Sequence, residues 1–299
     1  MRFISRLAAL ASVAFAQGAV AQSLDDRPWM LPDSILIIDP YEANPVDWKK
    51  VKTDPKVKAM IHRAFFGLTP DKKYEARVAE ARRAGLLAGL YLLGRPGDPI
   101  KQADALLAAG RKTGVTFLAL DIENLDPKLS MTIPDAARFI EYVHRKTGRY
   151  PALYVNFSTY QHISRLYGRD SVFAKAPLWL ARFRATHGMS GNAVWPTYTI
   201  WQFQSELNCK PGQTCFHRVP ATRSDMDVNA SAVRRPSSRP CSATAEPRPE
   251  FELWGDAALP ALRRPGRRRR RRRGPSRARP RLGHRRPLRR RRSLSAPRG

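Results

Sequence analysis

The chain is poor in cysteine, in acidic residues and in long apolar runs, and each shortage excludes something. Three cysteines in 299 residues cannot staple a disulfide-rich scaffold. Cys209 and Cys215 lie six apart in LNCKPGQTCF, around a Pro-Gly turn. No second pair stands nearby, and His217 alone does not complete a zinc site, so a disulfide is expected and zinc ligation is the weaker alternative. Cys241 is left single. No uninterrupted run of about eighteen apolar residues occurs, which disfavours a membrane anchor. No glycine-rich phosphate loop follows the first strand-like run, which argues against a nucleotide-binding layout and a nucleotide cofactor.

What is present begins with a targeting pattern. Arginines at positions 2 and 6 precede a mostly apolar stretch closing on Ala19-Val20-Ala21, a small-x-small cleavage signature. Residues 1–21 are therefore expected to be a signal peptide and 22–33 a short linker. The mature protein is expected to be exported, to a periplasm or beyond. The net charge of +29 is uneven: residues 234–299 hold 23 arginines, no lysine and four acidic residues, and supply +19 of it. Residues 232–299 read as a disordered Arg/Pro-rich tail that cannot build a core. The mixture matches out-of-frame translation of a GC-rich gene. Nucleic-acid or polyanion binding follows only if the tail is genuine. The rest is moderately basic, a sign that suits an anionic polymer.

Between these ends, residues 34–231 suit one large domain. Strand-like runs at 34–39, 57–65, 86–93, 115–121, 151–156 and 177–183 alternate with helical segments at 72–84, 99–113, 134–146 and from about 158. Pro99 and Pro134 open helices, while Gly85, Gly114 and Gly148 close them. YTIWQFQS at 198–205 is a further strand, and DMDVNA at 225–230 a possible last one. The alternation predicts a parallel sheet of the α/β class. Helices vanish after the sixth strand, so a closed TIM-like (β/α) barrel would be irregular, with helices lost in its last third.

The stretch LALDIENL raises the functional question. Apolar VTFLAL ends in Asp121 and Glu123, two apart and able to project to one side of a strand. A strand simply ending in solvent is the plain alternative. Asp39 ends the first strand, and Asp227 lies in the last. Strand C-terminal ends converge on one face of such a barrel. Carboxylates meeting there repel, raising the pKa of at least one, which is what a general acid for a sugar leaving group requires. Tyr91, Tyr154, Trp179 and Trp201 stand at strand ends, and aromatic faces stack on sugar rings.

These pieces resemble a known family. IIDPYEANPVDW, IHRAFFG, ARRAGLLAGLYLL, LALDIE, YPALYVN, PLWLARF, TIWQF and MDVN are similar in order and spacing to the glycoside hydrolase family 25 lysozymes, N-acetylmuramidases of bacterial and phage origin. The likeness runs from about Ile35 to Asn229. It departs at Leu92 and Leu93, where the family commonly has His-Phe, and after Asn229. The resemblance implies a cofactor-free and metal-free peptidoglycan hydrolase, monomeric, cleaving between N-acetylmuramic acid and N-acetylglucosamine. It implies Glu123 as the general acid, Asp121 as its partner, and Asp39 and Asp227 as further cleft acids. Arg63, Tyr91, Tyr154, Trp179, Trp201 and Gln202 would hold sugar, lactyl or peptide groups, although Arg63 could instead be a structural ion pair. A same-fold glycosidase on chitin-like chains, or a wall-binding protein without turnover, are the alternatives.

Overall fold

The computed structural model describes residues 27–234, apart from 191, 211, 221 and 223–225. The expected signal peptide, Cys241 and the arginine runs lie outside the described residues. The strands are β1 (Ser34–Ile38), β2 (Val57–Phe66), β3 (Thr69–Pro70), β4 (Leu87–Leu93), β5 (Phe117–Ile122), β6 (Ala152–Asn156), β7 (Leu178–Ala181), β8 (Ile200–Gln204) and β9 (Val228–Arg234). The helices are α1 (Trp48–Val51), α2 (Tyr74–Arg83), α3 (Pro99–Thr113), α4 (Ile133–Thr147), α5 (Phe157–Leu166) and α6 (Val172–Lys175).

The sheet runs β1-β9-β8-β7-β6-β5-β4-β2-β3, and an added β1–β2 pairing closes it into a barrel. From β1 through β2, β4, β5, β6 and β7 to β8 every step is parallel. Only β9 runs against both its neighbours, β8 and β1. No helix is seen after β7 among the described residues, so this is the irregular TIM-like barrel that the alternation predicts.

Local chemistry sets the helix limits. Asp98 caps α3 by accepting from the N–H groups of Ile100 and Lys101, with Pro99 beside it. Gly114 and Gly148 end α3 and α4 at φ of 65° and 74°, where a side chain would be strained. Thr132 caps α4 through Asp135 N–H, and Asn156 caps α5 through Thr159 N–H. The four-residue helices α1 and α6 are too short to give a periodic signal and were not expected.

Strand alternation divides the core in two. A lumen cluster holds Ile37, Ala59, Ile61, Phe117, Ala119, Ala152, Tyr154, Trp179, Ala181 and Ile200. The lumen is narrow: a Cβ at Gly89 would meet Phe117 at 2.8 Å. The larger cluster, outside the barrel, packs the intervening strand residues against the helices. Two boundaries differ from expectation. Trp29, in the stretch expected to be linker, is buried and packs against Trp201, Phe203 and Phe216. Strand β9 continues to Arg234, paired with Ser34, past the expected domain end at 231.

Candidate active site

The polar side chains gather at one mouth of the barrel. Asp39 follows β1, Asp121 lies within β5, and Glu123 stands just beyond it. Asp227 immediately precedes β9, and because β9 is antiparallel its start lies at the same end as the other strands' C-termini. Asp121, Tyr154 and Trp179 are register partners on three successive strands, as are Gln202 and Asn229 on β8 and β9. The pleat turns each toward the lumen.

Asp39 is held by two side-chain amides. Asn229 Nδ2 donates to its Oδ1 at 2.5 Å, and Gln202 Nε2 donates to its Oδ2 at 2.9 Å. Asn229 Nδ2 also reaches the Ile37 carbonyl at 3.1 Å, and its Oδ1 accepts from Trp179 Nε1 at 2.6 Å. Gln202 Oε1 accepts from the Tyr154 hydroxyl at 2.7 Å. Burial and the neighbouring Asp227 push the Asp39 carboxyl well above the usual range, against the two amide donors.

Asp121 contrasts with it. Its side chain is buried, and Oδ1 has no hydrogen-bond partner. Burial, then Glu123 and Asp39, raise its carboxyl well above normal, with Arg63 opposing. Glu123 is an exposed residue whose carboxyl nonetheless sits in packed surroundings beside Tyr154. Loss of hydration raises its pKa as well. Asn156 Nδ2 holds the Glu123 carbonyl at 2.6 Å, fixing the backbone that aims this side chain. The mouth therefore offers one accessible protonatable carboxyl backed by a buried carboxyl with an unfilled acceptor.

The other expected contact residues separate. Tyr91 is half-buried at the mouth, edge-on to Trp179 at 6.0 Å. Trp179 is itself 1% exposed and lies edge-on to Tyr154 at 4.9 Å, so it forms the floor and offers no open face to a sugar. Gln202 is equally buried, and the structure engages it with Tyr154 and Asp39. Arg63 pairs with Asp71 at 3.7 Å and lies over the Tyr41 ring at 4.8 Å, the structural ion pair weighed above.

Trp201 must be corrected. It belongs to the outer cluster, packed near Trp29, Tyr198 and His187, with Nε1 donating to the Arg182 carbonyl at 2.9 Å. On β8, Ile200 and Gln202 face the lumen, so the intervening Trp201 faces away from the acids. Asn229 was missed as a site residue. Its signal was present in MDVN, two residues after Asp227, the spacing that puts both on one side of a strand.

A groove of about 690 Å³ opens at the other end of the barrel, between the starts of β5 and β6. Arg111, Lys146 and Arg149 line it, and none of the four acids does.

The profile of the family described as Glycosyl hydrolases family 25 matches residues 38–211. The chain belongs to that family. The family 25 chain is a glycoside hydrolase, with the peptidoglycan-hydrolysing, lysozyme-type activity characteristic of the family. Solved structures share its fold. The spore cortex lytic enzyme SleM of Clostridium perfringens aligns with a TM-score of 0.54 and 21% identity, over 67% of this chain and 68% of that one. A bacterial lysozyme from Streptomyces coelicolor aligns at 0.51 and 22%, over 67% and 92%. A muramidase from Acremonium alcalophilum aligns at 0.51 and 19%, over 68% and 95%. The comparison with curated proteins found no match. Cys209 and Cys215 of the family 25 enzyme are joined as a disulfide.

Proposed function

We propose that this enzyme is an exported N-acetylmuramidase that cuts the β-1,4 bond between N-acetylmuramic acid and N-acetylglucosamine in peptidoglycan. One observation carries the assignment of roles: the accessible Glu123, whose carboxyl pKa is raised by burial, stands beside the buried Asp121, whose Oδ1 lacks a partner. Glu123 donates its proton to the glycosidic oxygen as that bond breaks, and the sugar hydroxyl departs. Asp121 Oδ1 accepts the N–H of the 2-acetamido group, and the acetamide oxygen bonds to the anomeric carbon as the leaving group goes. A water then attacks that carbon, giving its proton to the Glu123 carboxylate and displacing the acetamide oxygen, which restores the acid. Asp39 and Asp227 line the same cleft, where negative charge favours the cationic, oxocarbenium-like transition state. Tyr91 lines the entry.

Export rests on the N-terminal targeting pattern and agrees with the Cys209–Cys215 bridge, a bond that persists in oxidising compartments.

The test is the identity of the new chain end. Digestion of purified peptidoglycan, followed by mass analysis of the fragments, should place muramic acid at the reducing end. Glucosamine at that end would assign a different bond. Wall binding without new ends would leave a binding protein.

A further inference from the structure

Arg95 follows β4 at the carboxylate mouth, and its backbone is clamped. Gln102, buried on α3, grips it from both sides: Arg95 N–H donates to Oε1 at 3.1 Å, and Nε2 donates to the Arg95 carbonyl at 2.8 Å. The guanidinium lies over the Phe66 ring, 4.5 Å from its centroid. Gly67, at φ 59°, permits this approach, since a Cβ there would meet the Arg95 Cβ at 3.0 Å. Arg63, Arg77, Arg82 and Arg138 each reach a carboxylate or a backbone carbonyl. Among the described residues the Arg95 guanidinium reaches neither. Asp98, the acid of the same loop, accepts from the N–H groups of Ile100 and Lys101 instead.

Strand register places this pair relative to the acids. Phe66, Leu93 and Asp121 are successive partners on β2, β4 and β5. Phe65 packs against the outer cluster, so Phe66 turns to the same side as Asp121, where it is 42% exposed. Two strand spacings set the Phe66 and Asp121 backbones about 10 Å apart. Half-buried Leu93 lies between them and offers no competing polar group. A sugar whose 2-acetamido group sits on Asp121 carries its 3-oxygen on the adjacent ring carbon. In muramic acid that oxygen bears a lactyl group extended by a short acidic peptide, whereas in chitin-like chains it is a bare hydroxyl. The gap matches about three extended residues.

We propose that Arg95, backed by Phe66, binds a carboxylate on the 3-O branch of muramic acid and so selects peptidoglycan over uncharged N-acetylated glycans. This rests on the muramidase reading, with Asp121 holding the acetamido group. A guanidinium presents paired N–H donors that match a carboxylate, and stacking on Phe66 fixes its plane while leaving the donor edge open.

The test measures binding by calorimetry in the full chain carrying Glu123→Gln, so that the strands stay uncut. The probes are soluble peptidoglycan strands freed of other wall polymers, in three forms: with intact stem peptides, with all carboxyls converted to methylamides, and with the stems removed to leave lactyl carboxylates. Arg95→Gln should weaken binding of the intact strands about tenfold, the worth of a hydrogen bond to a charged group. It should leave binding of the amidated strands unchanged. Phe66→Leu should weaken binding with the same selectivity. An Arg95 effect that persists on stripped strands assigns the lactyl carboxylate, and one that disappears there assigns the stem. Arg111→Gln removes the same charge at the opposite end of the barrel and should change nothing. A loss on Arg95→Gln that is equal for intact and amidated strands, matched by Arg111→Gln, or absent would overturn the proposal. Binding is read without turnover, so failure of the native enzyme to release muramic ends would count against the muramidase reading alone.

Discussion

Trp179 and Asn229 are bonded across the cleft floor, indole N–H to amide oxygen at 2.6 Å, with both side chains almost fully buried. Trp179→Phe keeps an aromatic ring against Tyr91 and Tyr154 but leaves Asn229 Oδ1 buried without a donor. An unsatisfied buried acceptor costs about 1–3 kcal/mol. Urea unfolding should show a loss of that order. Turnover should also fall, because the amide that grips Asp39 is no longer oriented. Unchanged stability and rate would mean that the bond fixes nothing.

Asp121 illustrates a conflict between stability and chemistry. Its carboxyl is raised by burial and by Glu123 and Asp39, so the folded state holds the proton more tightly than the unfolded chain does. The penalty for ionising it is absent below the unfolded value, grows as pH rises through the folded one, and persists at neutral pH. Asp121→Asn should therefore be more stable than the native enzyme at pH 7 and lose that advantage as pH falls below about 4. Its turnover should drop sharply. A variant less stable at pH 7 than at pH 3.5, relative to the native protein, would contradict this.

The strands and longer helices were legible because their punctuation is local. Pro99 and Gly114, and Pro134 and Gly148, mark α3 and α4 without reference to the rest of the chain. The gathering of Asp39, Asp121 and Glu123 was legible too, since parallel strands deliver their C-termini to one end; Asp227 joins them by another route, at the start of the antiparallel β9. The facing of Trp201 was available but misread: in YTIWQFQS Trp201 and Phe203 alternate with Gln202 and Gln204, and it is the aromatic pair that packs in the outer cluster. Gln202 read as a sugar contact because its partners Tyr154 and Asp39 lie 48 and 163 residues away in sequence. Trp29 looked like linker because three residues of 3-10 helix carry no period, and only Phe203, Phe216 and Trp201 give it a place.

His62 sets an acid limit on the fold. It is fully buried on β2, with Nδ1 on the Arg63 carbonyl at 2.7 Å and Nε2 without a partner. Burial lowers its pKa from 6.5 to about 4. The unfolded chain takes this proton first as pH falls, so stability from the neutral imidazole is lost between pH 6.5 and about 4. The full effect is about 3 kcal/mol at most. The stability difference between the native protein and His62→Gln, measured by urea unfolding, should shrink across that window. A difference that does not vary with pH would show that His62 does not titrate in the unfolded chain alone.

The Cys209–Cys215 bridge closes a short loop after β8. On the chain-entropy account, whose mechanism is disputed, a loop of this size contributes about 2 kcal/mol. Thiol labelling of the denatured, unreduced protein should spare both cysteines, and reduction should expose both. The doubly substituted Cys209→Ser, Cys215→Ser protein should unfold at lower urea concentration. Labelling of both without reductant would remove the bridge.

The role of Glu123 is tested most directly by Glu123→Gln, which keeps the shape of the side chain and removes its transferable proton. General acid catalysis is worth about 10²–10⁴ in rate. Release of reducing ends from purified peptidoglycan should therefore fall at least about a hundredfold, while binding to the insoluble wall persists. Hydrolysis by Glu123→Gln at nearly the native rate would contradict the assignment of the acid and the mechanism built on it.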